Sequence, residues 1–432
     1  MIYNPQIEQM PRDELKKLQS ALLIKQVERM YERVECFRNR MDLNGVKPSH
    51  IKSIDDLHLL PFSYKKDLRD YYPYGLFAEP MENIVRLHAS SGTTGKQIVV
   101  GYTRNDLDNW SGTIARSLSA AGADKNTFLQ NAFGYGFFTG GLGIHDGATK
   151  IGATLIPIAA GNTQRQITTM VDFGSTMITC TPSYAMYLAE AIEEMGVRDK
   201  IKLKAGIFGA EPWSEDMRHA IESKLGIKAY DIYGLSEIQG PGVAYECEYQ
   251  CGMHICEDLF VAEIIDPDTG EVLPEGSTGE LVFTTLAKEG FPVIRYRTRD
   301  ICSLIYEPCR CGRTHIRMNK PTGRSDDMLI IRGVNVFPSQ IEEVLLKVGG
   351  DITPNYQIIV DRVNNTDTFD INVEMSDAFL HDEVRSIERL EKSIVDELRS
   401  VLGIGVKVHL VNPKSITRSE GKAKRVIDNR KI

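Results

Sequence analysis

The sequence contains no long hydrophobic segment, and the absence of any run of about 18 apolar residues argues against a bilayer-spanning helix. Its first residues, MIYNPQIEQMPRDELKK, lack a basic stretch followed by an apolar one, so no secretion signal is expected. Positive charge is also in short supply. With 51 Lys and Arg against 59 Asp and Glu, the net charge is −8, which argues against nucleic acid and anionic membranes as partners. We expect a cytoplasmic protein that binds neither.

Internal repeats and low-complexity stretches are absent as well, which disfavours a repeat protein or a disordered chain. The chain has 432 residues with 42% hydrophobic and 25% charged content, an ordinary globular composition. Such a length accommodates roughly two or three domains. Because the protein is acidic overall, any anionic ligand must be held by a local arrangement of donors.

Cysteines are few and unevenly placed. Two of the eight, Cys36 and Cys180, stand alone, whereas the other six lie between residues 247 and 311. Clustered cysteines without a secretion signal indicate a metal before they indicate disulfides.

The ligand spacing predicts a structural zinc site. The patterns CEYQCGMH at 247–254 and CRC at 309–311 supply more than four soft or borderline ligands in two groups. We select Cys247, His254, Cys309 and Cys311, with Cys251 or His315 as substitutes. Four protein ligands leave no open position, so this zinc would fasten the insertion to the neighbouring β-structure and take no part in chemistry. Free buried thiols are the alternative interpretation.

Apolar periodicity predicts an α/β protein whose character changes along the chain. Residues 12–40 carry apolar side chains at steps of three and four, which predicts one long core-facing helix. From about 85 to 240, short apolar runs alternate with helical stretches, a pattern typical of a largely parallel sheet. Residues 258–320 indicate antiparallel β-structure with turns, which we interpret as a β-subdomain.

The last quarter of the chain forms a separate pattern. It predicts strands at 328–331, 356–362, 368–374 and 405–411 and helices at 338–347 and 382–402, a βαββαβ unit. One face of the second helix is apolar, formed by Val384, Ile387, Leu390, Ile394, Leu398 and Val401. We expect a large N-terminal domain of mixed sheets flanked by helices over residues 1–325 and a small α+β C-terminal domain over 326–432.

A loop rich in glycine and hydroxyl groups, HASSGTTGK at 88–96, lies between two apolar runs. Glycine lets backbone N–H groups approach phosphate oxygens, while hydroxyls and a lysine add donors and positive charge. It is not a Walker A loop, because the spacing of its glycines is too short and Gln97 replaces the required Ser or Thr. The loop predicts a triphosphate site formed by Ser90, Ser91, Gly92, Thr93, Thr94, Gly95 and Lys96.

Five motifs follow one another along the chain: GAEP at 209–212, YGLSE at 233–237, YRTRD at 296–300, GRSDD at 323–327 and RSEGK at 418–422. In this order they resemble the core motifs of the adenylate-forming superfamily of acyl-CoA synthetases, luciferases and peptide-synthetase adenylation domains. Four longer strings resemble the phenylacetate:CoA ligase family in particular: HASSGTTGK, NAFGYGFFTGGLG, FTTLAKEGFPVIRYRTRD and GRSDDMLIIRGVNVFPSQIE. The resemblance runs from near the N-terminus to the C-terminus.

The resemblance implies an ATP site. Tyr233 would stack on adenine, Glu237 would ligate Mg²⁺, and Asp300 would accept hydrogen bonds from both ribose hydroxyls. Arg324 would contact the phosphates or the ribose. The implied nucleotide-binding set is completed by Gly209, Ala210, Glu211, Pro212, Asp231, Ile232, Gly234 and Ser236.

Lys422 matches the family's catalytic lysine, and the implied catalytic set also contains Glu237 and Thr93. An ammonium between the substrate carboxylate and the α-phosphate holds two repelling anions together and stabilises charge developing at phosphorus. Since Lys422 and the ATP loop lie in different predicted domains, the two half-reactions can use different domain orientations. Asp326 matches the family's hinge between them.

The segment NAFGYGFFTGGLG at 131–143 packs aromatics among glycines, which suits a close-walled pocket for a flat ring. By family position, Tyr135 and Phe137 would lie near the acyl group, with Gly209 and Ala210 on the opposite wall. The alternative is that these aromatics are only core. The implied reaction is ATP-dependent ligation of phenylacetate or a related aryl-acetic acid to coenzyme A through an acyl-adenylate, releasing AMP and pyrophosphate.

The implied small molecules are an aryl acid, ATP, Mg²⁺ and coenzyme A, whose phosphates Lys424 and Arg425 are hypothesised to meet. A homodimer is implied by resemblance alone. One alternative is an adenylating enzyme that loads the acyl group onto a carrier protein, which a dependence on free coenzyme A would exclude. Another is a zinc-stabilised nucleic-acid-binding protein, which the net charge and the acidic composition of 240–320 disfavour.

Overall fold

The structure is a computed structural model that describes residues 1–89, 97–324, 329–332, 334–349, 351–363, 366–376, 379, 384–418 and 425–430. The predicted triphosphate loop from Ser90 to Lys96 lies outside the described residues, as do Asp326, Lys422 and Lys424.

Helices and strands alternate through most of the chain. The helices are α1 (Pro5–Glu8), α2 (Arg12–Arg33), α3 (Glu35–Leu43), α4 (Lys65–Asp70), α5 (Arg104–Ala120), α6 (Thr139–Lys150), α7 (Thr163–Phe173), α8 (Pro182–Glu194), α9 (Glu215–Leu225), α10 (Pro338–Val348) and α11 (Val384–Leu402). The strands up to residue 265 are β1 (Arg86–Ala89), β2 (Val99–Tyr102), β3 (Phe128–Asn131), β4 (Thr154–Ile156), β5 (Met177–Cys180), β6 (Ala205–Gly209), β7 (Lys228–Leu235), β8 (Gly240–Glu246), β9 (Met253–Ile255) and β10 (Phe260–Ile265). The later strands are β11 (Thr278–Thr285), β12 (Tyr296–Ile305), β13 (Arg317–Met318), β14 (Gly323–Arg324), β15 (Leu329–Ile331), β16 (Val334–Val336), β17 (Ile352–Val363), β18 (Thr366–Met375), β19 (Lys407–Val411) and β20 (Val426–Asp428).

One large mixed sheet organises the N-terminal part, in the order β10-β11-β12-β13-β9-β8-β7-β6-β5-β3-β4, with β14 beside β12. Strands β3 to β7 are parallel, as the alternation of strands and helices predicts. Strands β10 to β12 are antiparallel, which confirms the β-structure expected in residues 258–320. They join the parallel strands through β13 and β9, so this segment extends the same sheet.

The crossover helices begin and end at recognisable capping residues. Thr181 Oγ1 accepts from Tyr184 N at the start of α8, and Ser214 Oγ accepts from Met217 N at the start of α9. Gly226 ends α9 in the left-handed region at φ 60°. These caps satisfy backbone groups that the helices leave unpaired. The parallel pairing of β5, β6 and β7 places their carboxyl ends at one edge of the sheet.

Strands β1 and β2 depart from the expectation. Both were expected in the parallel sheet, but they form an antiparallel pair of their own. The reason is the short connection from Ala89 to Val99, since a parallel pair needs a crossover of about a dozen residues or more. The predicted triphosphate loop therefore connects two paired strands.

The N-terminal helix is also interrupted. The prediction of a single helix over 12–40 is wrong, because Val34 adopts an extended conformation between α2 and α3 with φ −114° and ψ 98°. Val34 is 1% exposed and packs with residues of both helices in one apolar cluster, so burial outweighs helical periodicity here. None of the described helices combines the length and the hydropathy that a bilayer crossing requires.

The C-terminal unit has its own apolar core and a four-stranded sheet ordered β19-β18-β17-β20, with α10 and α11. The prediction omitted β16 and β20. Its first strand, β15, pairs with β16 in a separate hairpin. On α11 the apolar stripe ends at Leu402, which is 5% exposed, and not at the predicted Val401, which is 47% exposed. Leu402 follows Leu398 on the same face because a helix has about 3.6 residues per turn, so residues four apart lie on one side.

Candidate active site and metal centre

Most of the described site residues implied by the motifs lie where the parallel strands β6 and β7 end. Gly209 pairs with Ile232 across these strands. A Cβ at Gly209 would lie 2.3 Å from Ile232 O, so the close approach of the two backbones requires glycine. Ala210, the next residue, has φ +69°, a strained conformation for a residue with a Cβ. The GAEP backbone is thus held in a fixed turn at the strand end.

The carboxylate of Glu211 is engaged at the same edge. It accepts a hydrogen bond from Ser183 N, in the first turn of α8, at 2.7 Å. Negative charge at a helix N-terminus is stabilised by the helix dipole. Glu211 therefore ties the GAEP turn to the start of α8.

A polar cluster joins β7 to β12. Tyr233 donates to Asp300 Oδ2 at 2.5 Å, and Arg324 Nη1 lies 3.4 Å from Asp300 Oδ1. Burial and the Asp300 carboxylate raise the pKa of Tyr233 well above its usual value, so the phenol stays protonated. The ring of Tyr233 stacks with Phe283 at a centroid distance of 6.1 Å. Three residues from three separate motifs thus meet at one point.

Asp231 lies deeper, against residues that the sequence interpretation did not select. Burial raises the pKa of Asp231 to about 6. The ammonium of Lys320 lies 3.9 Å from Asp231 Oδ2 and 4.0 Å from the ring centroid of Trp213. The guanidinium carbon of Arg218 lies 4.9 Å from the ring centroid of Trp213. Only tertiary contact brings Lys320 to this edge of the sheet, and no local pattern indicates it.

The turn after β7, residues 236–239, is fastened by several distant elements. Ser236 Oγ lies 3.2 Å from Thr139 Oγ1 at the start of α6. Tyr102 donates to Gln239 O at 2.7 Å, and Lys288 donates to Ile238 O at 2.8 Å. Glu237, the implied Mg²⁺ ligand, lies inside this turn and is buried. Lys288 and Tyr102 are further contributors that the sequence interpretation missed.

The two aromatics proposed for the acyl pocket differ in exposure. The hydroxyl of Tyr135 accepts from Asn131 Nδ2 at 2.8 Å, and His145 packs edge-on against its ring. Phe137 is 69% exposed, so in this arrangement its ring does not form a closed wall. Its backbone oxygen instead accepts from Ala89 N at 2.9 Å, which ties the aromatic segment to β1. Sequence reasoning did not select His145.

A second site lies at the junction of β8, β9 and the loop after β12. The ligand atoms of Cys247, His254, Cys309 and Cys311 all lie within 4.8 Å of one another. Cys247 Sγ is 3.8 Å from Cys309 Sγ, and Cys311 Sγ is 3.4 Å from His254 Nε2. A tetrahedral zinc with bonds of about 2.3 Å to sulfur requires sulfur atoms about 3.8 Å apart. The donor set therefore fits zinc.

Hydrogen bonds distinguish the ligands from the substitutes. His254 Nδ1 contacts His315 O at 3.4 Å, which orients Nε2 towards the thiols. Both ring nitrogens of His315 contact backbone oxygens, at 2.9 and 3.1 Å, and His315 is not part of the group of four close ligand atoms. Cys251 Sγ lies 3.8 Å from Cys309 Sγ and accepts from Arg317 Nη1 at 2.9 Å. Cys251 is therefore close enough to replace one of the four proposed zinc ligands.

Arg425, which is hypothesised to meet the phosphates of coenzyme A, is engaged with other residues in this structure. Its guanidinium covers the ring of Tyr356 at 4.4 Å, donates to Pro354 O at 3.2 Å and lies 3.5 Å from Glu342 Oε1. These partners belong to the C-terminal unit itself. Arg425 is consequently a structural anchor in the arrangement described.

Comparison with known proteins agrees with the geometry. Residues 30–286 match the AMP-binding enzyme family, and residues 333–430 match the AMP-binding enzyme C-terminal domain. A phenylacetate-coenzyme A ligase of Thermus thermophilus is 49% identical, and the alignment covers 100% of each chain.

Solved structures of a 2-hydroxyisobutyryl-CoA ligase also resemble the chain. In its postadenylation state that ligase is 28% identical with a TM-score of 0.93, covering 99% of this chain and 92% of its own. In its thioesterification state the TM-score is 0.72 at 29% identity, with the same coverage. Taken with the full-length similarity, these matches show that the chain belongs to the phenylacetate-coenzyme A ligase family of AMP-binding enzymes.

Proposed function

We propose that the protein joins an aryl-acetic acid, phenylacetate foremost, to coenzyme A at the expense of ATP. The observation that carries the proposal is the meeting of Tyr233, Asp300 and Arg324 at the end of β7, in a chain 49% identical to a phenylacetate-coenzyme A ligase along its whole length. A fixed carboxylate beside a phenol and a guanidinium suits the ribose and phosphates of a nucleotide.

The reaction has two balanced steps. First, a carboxylate oxygen of the acid attacks the α-phosphorus of ATP, and pyrophosphate leaves with the electrons of the broken P–O bond. Next, the thiol sulfur of coenzyme A attacks the carbonyl carbon of the acyl-adenylate. The bond from that carbon to the phosphate oxygen breaks, AMP leaves with its electrons, and the thiol proton passes to solvent. The protein's contribution is orientation and charge stabilisation, because both steps bring anionic groups together.

Nucleotide contacts are assigned to residues at the strand ends. Asp300 would accept from the ribose hydroxyls, Arg324 would approach the ribose or phosphates, and the 209–212 backbone would lie beside the adenine with Tyr233. The triphosphate would be held by Ser90 to Lys96, with Thr93 close to the reacting phosphate. Glu237 would hold Mg²⁺, which neutralises phosphate charge when bound, and a buried carboxylate suits such a hard cation.

The aryl ring is assigned to the space between the 131–143 segment and the GAEP turn. Tyr135 offers a half-buried ring, and its hydroxyl is held by Asn131, so an apolar group would meet the ring and not the hydroxyl. Gly209 and Ala210 would form the opposite wall, since their small side chains leave room for a flat ring. We keep Phe137 in the proposal as a residue that would cover the ring on substrate binding.

Zinc is assigned a structural role. The proposed ligands Cys247, His254, Cys309 and Cys311 occupy four positions, which leaves none for substrate or water. The metal would tie the segment after β8 to the loop between β12 and β13. It lies in a different part of the sheet from the GAEP and YGLSE turns, and we assign it no step of the reaction.

The C-terminal unit, residues 326–432, is proposed to change orientation between the two steps, with Asp326 as hinge. In the arrangement described, Lys414 Nζ lies 2.6 Å from Glu194 Oε1, and Arg418 Nη2 lies 3.6 Å from Glu190 Oε2. Both carboxylates are on α8 of the N-terminal part. Higher similarity to the postadenylation state of the 2-hydroxyisobutyryl-CoA ligase supports assigning this arrangement to adenylate formation.

Charge reversal on α8 tests this assignment. Glu194→Lys sets two ammonium groups against each other at the contact with Lys414, so we expect acyl-adenylate formation to slow about threefold. Thioester formation from supplied acyl-adenylate should be unchanged. Pyrophosphate exchange and single-turnover thioester formation measure the two steps separately.

Glu193→Lys is the matched control. It makes the same charge change on the neighbouring residue, whose carboxylate lies 3.7 Å from Lys224 of α9, within the N-terminal part. We expect Glu193→Lys to keep both rates. Equal slowing in the two variants, or equal slowing of both steps in Glu194→Lys, would contradict the assignment.

The proposed function is tested by pyrophosphate release with Mg-ATP and a panel of aryl-acetic acids, each with and without coenzyme A. We expect acid-dependent release that turns over repeatedly only when coenzyme A is present. The acid with the highest kcat/KM identifies the substrate. If no acid elicits pyrophosphate, the ligase proposal fails at its first step; if a carrier protein replaces coenzyme A, the acceptor is wrong.

A further inference from the structure

Lys288 is a buried lysine directed at the residue that follows Glu237. Only 6% of its surface is exposed, and its ammonium donates to Ile238 O at 2.8 Å. The ring centroids of Tyr102 and Phe291 lie 4.7 and 5.4 Å from Nζ. The positive charge is therefore enclosed by aromatic rings and by the turn that contains Glu237.

The backbone around Lys288 is held from two sides. Gln26 Nε2 donates to Lys288 O at 2.6 Å from helix α2. The carboxylate of Asp106 accepts from Glu289 N at 2.7 Å and from Gly290 N at 2.8 Å. These contacts fix the backbone from which the lysine side chain extends to Ile238 O.

Enclosing this ammonium is energetically unfavourable. Burial lowers the pKa of Lys288 to about 8, although the carboxylates of Asp106 and Glu237 act in the opposite direction. A buried charge contributes little to stability compared with an apolar side chain of similar volume. Stability therefore does not explain why a lysine occupies this position. The lysine is explained by its hydrogen bond to Ile238 O, because Ile238 is the residue next to Glu237.

We propose that Lys288 is a positioning residue for Glu237, fixing the 236–239 turn through Ile238 O so that the carboxylate is presented to the metal of Mg-ATP. This inference rests on the proposed function, because it requires Glu237 to hold Mg²⁺. Lys288 itself would contact neither nucleotide nor metal. Its effect is on the position of the ligand.

The test is Lys288→Met, which keeps the length of the side chain and removes its charge. We expect a folded variant with a Tm equal to or above that of the wild type. Binding of Mn²⁺ in the presence of a non-hydrolysable ATP analogue, followed by electron paramagnetic resonance, should weaken about 10- to 100-fold. The Mg²⁺ concentration for half-maximal pyrophosphate formation should rise by the same factor, with the KM for the aryl acid unchanged.

Two further variants complete the test. Lys125→Met removes an exposed lysine outside the site and should bind Mn²⁺ as the wild type does. Tyr102→Phe removes the hydrogen bond to Gln239 O, on the same turn, and should weaken Mn²⁺ binding less than Lys288→Met. An equal effect in Tyr102→Phe would indicate general loosening of the turn and overturn the proposal.

The remaining outcomes also decide the question. Wild-type Mn²⁺ binding in Lys288→Met, or failure of this variant to fold, would overturn the proposal, because the lysine would then be dispensable or structural. Binding of Mn²⁺ is measured without an aryl acid, so it does not depend on the reaction. If the wild-type enzyme released no pyrophosphate, the proposed function would be refuted, but the Mn²⁺ measurement would still test the role of Lys288.

Discussion

Replacing Lys422 with alanine is expected to slow acyl-adenylate formation about a thousandfold, the upper end of the effect of removing one preorganised donor. The substrate carboxylate and the α-phosphate repel each other, and an ammonium between them offsets this repulsion as charge develops at phosphorus. Thioester formation from supplied acyl-adenylate needs no such bridge, so that step should keep its wild-type rate. Pyrophosphate exchange and single-turnover thioester formation measure the two steps.

Lys422 lies outside the described residues, and the nearest described residues on either side of it are two arginines. Arg418 donates to both carboxylate oxygens of Glu374, at 2.7 and 2.8 Å. Arg425 is held by Tyr356 and Glu342, as described above. Arg418 and Arg425, the described residues nearest to Lys422 on either side, are thus each engaged by a carboxylate of the C-terminal unit.

Lys407→Ala is the control for Lys422→Ala, because it removes an exposed lysine from β19 of the same unit. It should leave both half-reactions within about twofold of wild type. Pyrophosphate exchange that survives in Lys422→Ala would show that another cation performs the bridging, and the role taken from the RSEGK motif would be wrong. Equal loss of both half-reactions would instead indicate a structural defect.

The elements of this fold follow from sequence where local periodicity and burial agree. The parallel strands β3 to β7 are short apolar runs between helices, and the βαββαβ unit has apolar faces of its own. Prediction failed where tertiary packing outweighed periodicity. Val34 breaks a continuous helical pattern because an extended residue there packs in the core, and no local signal marks it.

The site shows the same division. The GAEP, YGLSE, YRTRD and GRSDD motifs could be selected because each is a short contiguous string, and ligand chemistry alone selected Cys247, His254, Cys309 and Cys311. Lys288 could not be found in this way. It belongs to the string FTTLAKEGFPV, where a lysine is ordinarily solvated, and only contact with Tyr102 and Ile238 reveals that it is buried.

Removal of the proposed zinc is expected to lower the free energy of unfolding by about 4 kcal/mol or more, because metal binding to a closed site is coupled to folding. Cys247→Ser or Cys309→Ser should do the same and should abolish zinc content measured by mass spectrometry. Thermal unfolding with and without a strong chelator measures the stability change. The variants should show no further loss on addition of the chelator.

The loss should extend to the N-terminus, because the loop that supplies Cys309 and Cys311 also holds α1. Arg313 donates to the fully buried carboxylate of Glu8 at 2.7 Å, and Thr314 N donates to Glu8 O at 3.0 Å. When the metal no longer fixes the loop, these contacts lose their support. We therefore expect chelation to expose the chain to trypsin near Arg12, identified by N-terminal sequencing of the fragment.

Cys256→Ser distinguishes the effect of losing the metal from the effect of losing a buried thiol. Cys256 is 0% exposed and lies close in sequence to the quartet, but it is not among the four ligands. Its hydroxyl replacement can still donate to Gly242 O, which its thiol approaches at 3.5 Å. This variant should retain zinc, respond to the chelator as the wild type does, and resist trypsin at Arg12. If Cys256→Ser and Cys247→Ser lose stability equally, or if the purified wild type contains no zinc, the cysteines are ordinary core residues and the metal site is refuted.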